Sequence, residues 1–228
     1  HADHIGGNHY LQMQYDCRIY APREELSSVL RPSLEPSFLY GGFPIDELCG
    51  KFLVAQESRA ERLTDDVLPD GLSSFPLPGH TFGMVGYRTA DEIVFLADCL
   101  CSKQTLEKYG VSYVYDVGAY VKTLESLRKI EGKIFIPSHA EPTDNIMPLA
   151  NYNRTKVFEF GEFLVDVCHE PTEADSILKQ VFAYYDRAMS YEQYALVGST
   201  VRSYLAWLKN QGAVTCFIDK NRLIWKKA

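Results

Sequence analysis

The sequence predicts an α/β protein in two parts, a larger α/β sandwich over residues 1–150 and a small α+β domain over residues 151–228. Before residue 150, three apolar segments of strand length each lead to a histidine or an aspartate, and helical segments lie between the second and the third. After residue 150, the apolar residues follow helical spacing until a hairpin pattern closes the chain.

The first element is a dense polar cluster, His1-Ala2-Asp3-His4. Imidazole and carboxylate groups are ligands of zinc and its first-row neighbours, and a carboxylate can bridge two ions. Because alternate residues of a strand point to opposite sides, three such ligands within four residues predict a loop at a strand end. The glycines at positions 6 and 7 then let the backbone approach the ions and start a helix behind them.

Three more candidate ligands follow apolar segments. They are His80 after the strand edge and turn at Phe75–Gly79, Asp98 at the exit of the buried strand Glu92–Asp98, and His139 at the end of Lys133–His139. Taken alone, an aspartate after a strand can simply cap a turn. Together with the N-terminal cluster, these residues favour one metal site.

In this order the motifs resemble those of the metallo-beta-lactamase superfamily: a His-x-His-x-Asp-His loop, a Gly-His turn, an aspartate at a strand end and a late Ser-His. The resemblance covers roughly residues 1–150 and implies the metallo-beta-lactamase-type αββα sandwich. The sequence starts at the position of the second loop histidine, so the sandwich is expected to be incomplete at the N-terminus. If His1 is a true terminus, its amino group and imidazole could instead chelate an ion as a histidine brace.

The resemblance also implies a ligand set for two divalent ions, with zinc favoured and iron or manganese as alternatives. One ion takes His1 and His80, the other takes Asp3, His4 and His139, and Asp98 bridges both. A hydroxide shared by the two ions would then attack a polarised carbonyl or phosphoryl group. Asp3 is the catalytic candidate, since it could orient the nucleophile and return a proton to the leaving group.

The fold hosts many activities, so it does not determine the substrate. A small-molecule ester or thioester is the expected class. A beta-lactamase is not favoured, because familiar zinc beta-lactamases have a different residue at the position of Asp98. Two alternatives remain open: a mononuclear iron sulfur-oxygenase similar to a persulfide dioxygenase, and a noncatalytic or nucleic-acid-binding scaffold protein.

Between the ligand motifs, Pro22–Leu26 predicts the start of a helix. The segment Arg31–Pro44 contains three prolines and a glycine pair and predicts a loop. Segments at this place shape the pocket in the family that the chain resembles, so Phe38, Tyr40 and Phe43 are pocket candidates. Helices are predicted over residues 102–109 and 118–131.

In the C-terminal part, helices are predicted over residues 157–167, 174–185 and 197–208, with a hairpin over residues 213–226. Thr172 and Ser190 are the predicted N-caps of the second and third helices. Three helices and a hairpin resemble a winged helix. The last of these helices carries only Arg202 and Lys209 as basic residues, so packing or pocket closure is favoured over DNA binding.

Charge also disfavours nucleic acid as a partner. Residues 1–150 carry 13 basic and 21 acidic side chains, a net −8, and residues 151–228 carry 10 and 9, a net +1. No run of eighteen apolar residues occurs, so a membrane span is not expected. The six cysteines show no disulfide framework and predict mostly buried free thiols in a cytoplasmic, reducing environment. A small-molecule substrate is the expected partner, and a homo-oligomer is compatible with the sequence.

Overall fold

The computed structural model describes all 228 residues as nine α-helices, three short 3₁₀ turns and nine strands. The helices are α1 (Ala2–Ile5), α2 (Asn8–Tyr15), α3 (Leu26–Leu30), α4 (Leu34–Tyr40), α5 (Lys103–Tyr109), α6 (Val117–Ser126), α7 (Met147–Val167), α8 (Ala174–Tyr184) and α9 (Tyr191–Asn210). The strands are β1 (Tyr20–Ala21), β2 (Glu61–Arg62), β3 (Ser73–Pro76), β4 (Val85–Arg88), β5 (Ile93–Cys101), β6 (Ile134–His139), β7 (Thr172–Glu173), β8 (Val214–Asp219) and β9 (Arg222–Lys227). None of the helices combines the length and the hydrophobicity that a bilayer crossing requires.

The central sheet has four strands in the order β3-β4-β5-β6. The first two pairs are antiparallel, and β5 and β6 run parallel. Helices cover one face, where Val94, Leu96 and Phe135 are buried, whereas Phe95 and Ile134 are exposed on the sheet. The only other strands in the first 150 residues are β1 and β2, which form a two-residue parallel pair. The mixed α/β architecture is therefore confirmed.

The C-terminal part follows the predicted order of helices and hairpin. Ser190 caps α9 by accepting a hydrogen bond from the backbone N–H of Gln193, as expected. The prediction for Thr172 is wrong, because this residue lies in β7 and Glu173 occupies the N-cap position of α8. Strand β7 pairs with β9, so the hairpin belongs to a three-stranded sheet. The assignment to the winged-helix class stays a prediction.

Several local predictions for the first part are wrong. The segment Arg31–Pro44 is not a loop, because it contains α4. Its second proline, Pro36, lies in the first turn of that helix, where a missing N–H breaks no intrahelical hydrogen bond.

The cysteines are all free, but only Cys99 and Cys168 are buried, so the expectation of mostly buried thiols also fails.

One large hydrophobic cluster extends along the chain from Leu77 to Trp225. It combines side chains of β5, α6, α7, α8 and α9, and α7 itself crosses residue 150. A small second cluster, built on Leu39, Leu48, Leu53 and Ala195, packs α4 against α9. The predicted domain boundary at residue 150 stays a prediction, while the packing joins the two parts into a common core.

A buried asparagine connects the central sheet to α7. Asn153 is almost fully buried. Its amide oxygen accepts a hydrogen bond from the backbone N–H of Cys101 over 3.0 Å, and its amide nitrogen donates to the carbonyl of Cys101 over 2.8 Å. The same nitrogen also donates to the carbonyl of Leu149. Asn153 therefore provides hydrogen-bond partners for both the N–H and the carbonyl of Cys101, the last residue of β5.

We expect Asn153→Leu to lower the free energy of unfolding by about 2–4 kcal/mol, because the peptide groups of Cys101 lose their partners. The measurement is urea unfolding followed by circular dichroism. Asn151→Leu is the matched control, since Asn151 lies on the exposed side of the same helix. A loss below about 0.5 kcal/mol for Asn153→Leu would contradict the structural role.

Candidate metal centre

Four imidazole rings converge on one buried carboxylate. Asp98 is only 4% exposed. Its Oδ2 lies 3.2 Å from His1 Nε2, 3.4 Å from His80 Nε2 and 3.3 Å from His139 Nε2. Its Oδ1 lies 3.0 Å from His4 Nε2. The structure thus brings together five of the six residues that the sequence singles out as candidate ligands.

These five residues form two groups that share Asp98. One group is His1, His80 and Asp98, and the other is His4, Asp98 and His139; within each group the ligand atoms lie within 4.8 Å of one another. Each group therefore offers two histidines and one carboxylate, and Asp98 belongs to both: its Oδ2 faces His1, His80 and His139, and its Oδ1 faces His4. This arrangement matches the bridging position that the resemblance implies for Asp98.

The atomic distances fit divalent cations. For a tetrahedral zinc site with Zn–N bonds of about 2.0–2.1 Å, neighbouring ligand atoms are about 3.3 Å apart. The Nε2 atoms of His1 and His80 lie 3.1 Å from each other, close to that value. In addition, Asp98 Oδ1 is buried and has no partner of proper hydrogen-bond geometry, although His4 is near. A buried carboxylate oxygen without a hydrogen bond is suited to accept a cation.

The sequence predicts Asp98 at the exit of its strand. The structure instead places it inside β5, which continues to Cys101. The pairing of β5 with β6 is irregular here, with register shifts on both sides of Ala97. Ala97 itself has a φ of 47°, in the left-handed region that non-glycine residues rarely adopt. An irregularity of this kind changes the direction of the following side chain. The backbone at Ala97 therefore sets where the Asp98 carboxylate lies.

The N-terminal ligands lie on a helical turn and not on the predicted loop. Helix α1 starts directly after His1, whose carbonyl accepts hydrogen bonds from the N–H groups of His4 and Ile5. On a helical turn, residues three positions apart share a face. His1 and His4 therefore both reach Asp98. Asp3 lies on the wall of the adjoining cavity and belongs to neither ligand group.

A tight turn holds His80 in place. Gly79 has a φ of 127°, and a Cβ at this position would lie 2.4 Å from backbone atoms of Tyr120, so only glycine fits. The Gly79 carbonyl accepts hydrogen bonds from the N–H groups of Tyr115 and Asp116. His80 Nδ1 lies 2.9 Å from the carbonyl oxygen of Tyr113, to which it donates. This bond places the free lone pair on Nε2, which faces Asp98.

Burial and charge shift the pKa values of Asp98 and His80 towards the forms that bind metal, and shift the pKa of His1 in the opposite direction. Burial opposes ionisation of Asp98, but the imidazoles of His1 and His4 outweigh it and hold the pKa of the carboxyl well below its usual range. Burial lowers the pKa of His80 to about 4, against the attraction of Asp98. Burial also acts to lower the pKa of His1, but Asp98 and Glu35 raise it by more. Ionised carboxylate and neutral imidazole are the forms that bind metal.

The centre opens into a cavity of about 1150 Å³. Its wall includes His1, His80, Asp98 and His139, and on other sides residues of α3, α4, α5 and α9. Of the three aromatic pocket candidates, Phe38 lines the cavity. Tyr40 does not, and Phe43 is 92% exposed at the surface.

Two residues near the ligands, Glu35 and Tyr113, belong to no motif that can be recognised in the sequence. Glu35 lies on the cavity wall, and its Oε2 accepts a hydrogen bond of 2.9 Å from the backbone N–H of Ala2, beside His1. Tyr113 supplies the carbonyl that orients His80. Glu35 falls in the segment predicted as a loop, and a backbone carbonyl has no sequence signature. The helical spacing of the apolar residues within Leu34–Leu39 is the one signal that could have indicated a helix there.

Comparison with known proteins identifies the family and the fold. The sequence model of the metallo-beta-lactamase superfamily matches residues 1–139. A metallo-beta-lactamase family protein from Thermus thermophilus is 17% identical, with a TM-score of 0.69 over 93% of this chain and 72% of that chain. A beta-lactamase domain protein from Burkholderia ambifaria is 17% identical, with a TM-score of 0.74 over 100% of this chain and 73% of that chain. No curated protein matches the sequence.

At this level of identity the two solved structures show the fold alone, and the likeness extends into the C-terminal part of the chain. The sequence model covers well over half of the 228 residues, including all six candidate ligands. On these grounds the chain belongs to the metallo-beta-lactamase superfamily, a fold that includes metal-dependent hydrolases.

Proposed function

We propose that the protein is a metal-dependent hydrolase that acts on a small-molecule ester or thioester. The observation that carries this proposal is the pair of ligand groups that share Asp98 on the wall of a large cavity. A structural metal site is usually closed by four protein ligands, whereas a catalytic site leaves positions for water and substrate. Each group here supplies three protein ligands and opens into the cavity.

Two divalent ions bound at these groups, with zinc favoured, would acidify a water molecule for attack and polarise the substrate carbonyl. Asp98 is the one residue common to both groups, so it would contribute a ligand to each position. The carbonyl of Tyr113 keeps the proton of His80 on Nδ1, so Nε2 remains a ligand atom. The buried side of the centre excludes bulk water behind the reacting atoms.

Asp3 is the proposed proton carrier of the reaction. It lies on the cavity wall and belongs to neither ligand group, so its carboxylate is not needed as a metal ligand and is free to transfer protons. In this role the carboxylate would take a proton from the attacking water and give it to the leaving alcohol or thiol. An exposed position suits a group that exchanges protons with solvent.

A second candidate function has one observation in its favour. Two histidines and one carboxylate with open positions are the ligand set of mononuclear non-haem iron oxygenases, and each group has this composition. Elemental analysis of the purified protein separates the candidates. Two zinc ions per chain support the hydrolase and justify an ester and thioester screen, one iron per chain supports oxygen chemistry, and no bound metal overturns both.

We also propose a reducing compartment, the cytoplasm, as the location of the protein. The six cysteines are free, and two of them are exposed at the surface. Exposed thiols without partners persist best where disulfides are kept reduced.

We expect Asp98→Asn to reduce the metal content to one ion per chain or less and to lower hydrolytic activity by at least about 100-fold, because one shared carboxylate serves both groups. Inductively coupled plasma mass spectrometry gives the metal content, and initial rates give the activity. Asp70→Asn is the matched control, since Asp70 is exposed on a surface turn. Two tightly bound ions and normal turnover in Asp98→Asn would refute the bridging role.

We expect Glu35→Gln to raise the free energy of unfolding of the metal-free protein at pH 8 by an amount on the order of 2 kcal/mol. Burial raises the pKa of Glu35 in the folded chain to about 7, while the ordinary value is 4.5. Between pH 4.5 and about pH 7 the Glu35 side chain has lost its proton in the unfolded state but keeps it in the folded state. The wild-type protein therefore loses stability as the pH rises through this range. Glutamine removes this loss.

The measurement is urea unfolding with a chelator at pH 5 and at pH 8. The stabilisation by Glu35→Gln should be small at pH 5, where the side chain is protonated in the folded state, and should grow towards pH 8. Glu131→Gln, on the exposed surface, is the matched control. An equal effect of Glu35→Gln at both pH values would show that burial of the charge is not its cause.

A further inference from the structure

The cavity next to the metal centre is larger than a small polar ester needs. Ligand sites for small molecules usually enclose about 300–1,000 Å³, and this cavity has about 1150 Å³. The candidate ligands occupy one part of its wall. Much of the remaining wall is apolar, from Leu34 and Phe38 of α4, Leu106 and Tyr109 of α5, and Leu196 and Val197 of α9. The extra space therefore suits the apolar portion of a substrate.

Several exposed apolar side chains lie on this wall. Five large ones that reach solvent line the cavity: Leu34, Phe38, Phe52, Phe82 and Tyr109. Phe38 and Phe82 pack together with ring centroids 5.0 Å apart, and Phe82 lies only two residues beyond His80. When an apolar ligand covers apolar groups that face water in a concave site, the free energy of the system falls.

Part of the cavity wall is built by the C-terminal part of the chain. Helix α9 contributes Gln193, Leu196, Val197 and Thr200 to the wall. This helix is fixed to α4 by their shared apolar cluster and by a hydrogen bond of 3.3 Å from the guanidinium of Arg202 to the carbonyl of Leu39. Because both helices are held in place, their side chains form a fixed part of the cavity wall.

Charge on the wall restricts the rest of the substrate. The lining residues include the carboxylates of Asp3, Glu24, Glu25 and Glu35, and Lys108 is the only lysine or arginine among them. Bound cations would offset this charge at the reacting atoms, but Glu24 and Glu25 belong to a separate element, at the start of α3. A phosphate group carried into the cavity would meet these carboxylates without a cluster of basic residues to bind it.

We propose that the substrate is an ester or thioester with an apolar acyl chain of medium length and without phosphate groups, and that side chains of α4 and α9 hold this chain. The proposal rests on the proposed hydrolase function and names its substrate class. In the reaction the oxygen of water joins the acyl carbon and the acyl C–O or C–S bond breaks. The leaving alcohol or thiol takes one proton, and the carboxylic acid formed releases another, so no oxidant or reductant is needed.

The test uses thioesters of N-acetylcysteamine, which share one neutral leaving group. Transfer of a methylene from water into an apolar site favours binding about fourfold, so octanoyl should exceed acetyl in kcat/KM by at least about 100-fold if most of the chain is buried. Octanoyl-coenzyme A has the same scissile bond but carries phosphates, and its kcat/KM should be at least about tenfold lower than that of the octanoyl-N-acetylcysteamine thioester. Equal rates for acetyl and octanoyl, or a preference for the coenzyme A thioester, would overturn the proposal.

Two variants test the role of the wall. Val197→Phe should reduce the octanoyl-to-acetyl ratio at least about tenfold by filling space that the chain would occupy, and Phe38→Ala should lower the same ratio by removing apolar contact without filling that space. Ala206→Phe places the same ring on the exposed side of α9 and should leave the ratio unchanged. Unchanged ratios in both wall variants would overturn the role of α9 and α4.

A binding measurement separates failure of the substrate class from failure of the hydrolase function. Titration calorimetry of the metal-loaded protein with octanamide and acetamide should show binding of octanamide alone, and Val197→Phe should weaken it. Hydrolysis without any preference for chain length would overturn the substrate class and leave the hydrolase. Octanamide binding without hydrolysis of any ester or thioester would overturn the hydrolase and leave the acyl-chain site.

Discussion

The buried negative charge of Asp98 is the constraint on which the rest of this structure depends. A carboxylate removed from water is costly unless opposite charge or hydrogen-bond donors surround it. Here the surroundings are four imidazole rings from three separate places in the chain: the N-terminal turn, the turn after β3 and the end of β6. Each of these segments is held by its own backbone hydrogen bonds. The positions of the histidines are thus fixed before any ion binds, which is the condition for a site of defined geometry.

The same elements that hold the centre also build the space in front of it. Strand β5 carries Asp98 and also contributes buried side chains to the main cluster on both sides of its irregularity at Ala97. Helix α7 packs against β5, and α9 packs against α7 and reaches the cavity wall. The C-terminal helices therefore do more than extend the fold. They connect the chemistry at Asp98 to the shape of the pocket through one continuous core.

The sequence predicts those parts of the site that depend on local patterns. Apolar runs that end in His80 or His139 predict a strand with a ligand behind it, and the structure places both residues at the centre. Helix α4 is missed because the three prolines of the segment Arg31–Pro44 suggest a loop. Only one of them, Pro36, lies in the helix, and a proline in the first turn is compatible with a helix. Glu35 comes to the centre only because tertiary packing brings α4 beside Ala2, and the partner of His80 is a backbone carbonyl, which every residue possesses. Such contacts can be found only once the chain is folded.

The shared core also determines how a ligand can reach the reacting atoms. Helices α4 and α9 both line the cavity and pack against each other, and the second half of α9 is buried in the main cluster. Swinging the C-terminal part away as a rigid lid would expose that cluster to water. Rotation of the exposed Phe38 and Phe82 rings requires no such exposure. Opening the cavity by rotation of these two rings therefore exposes less apolar surface to water than opening it by displacement of the C-terminal helices.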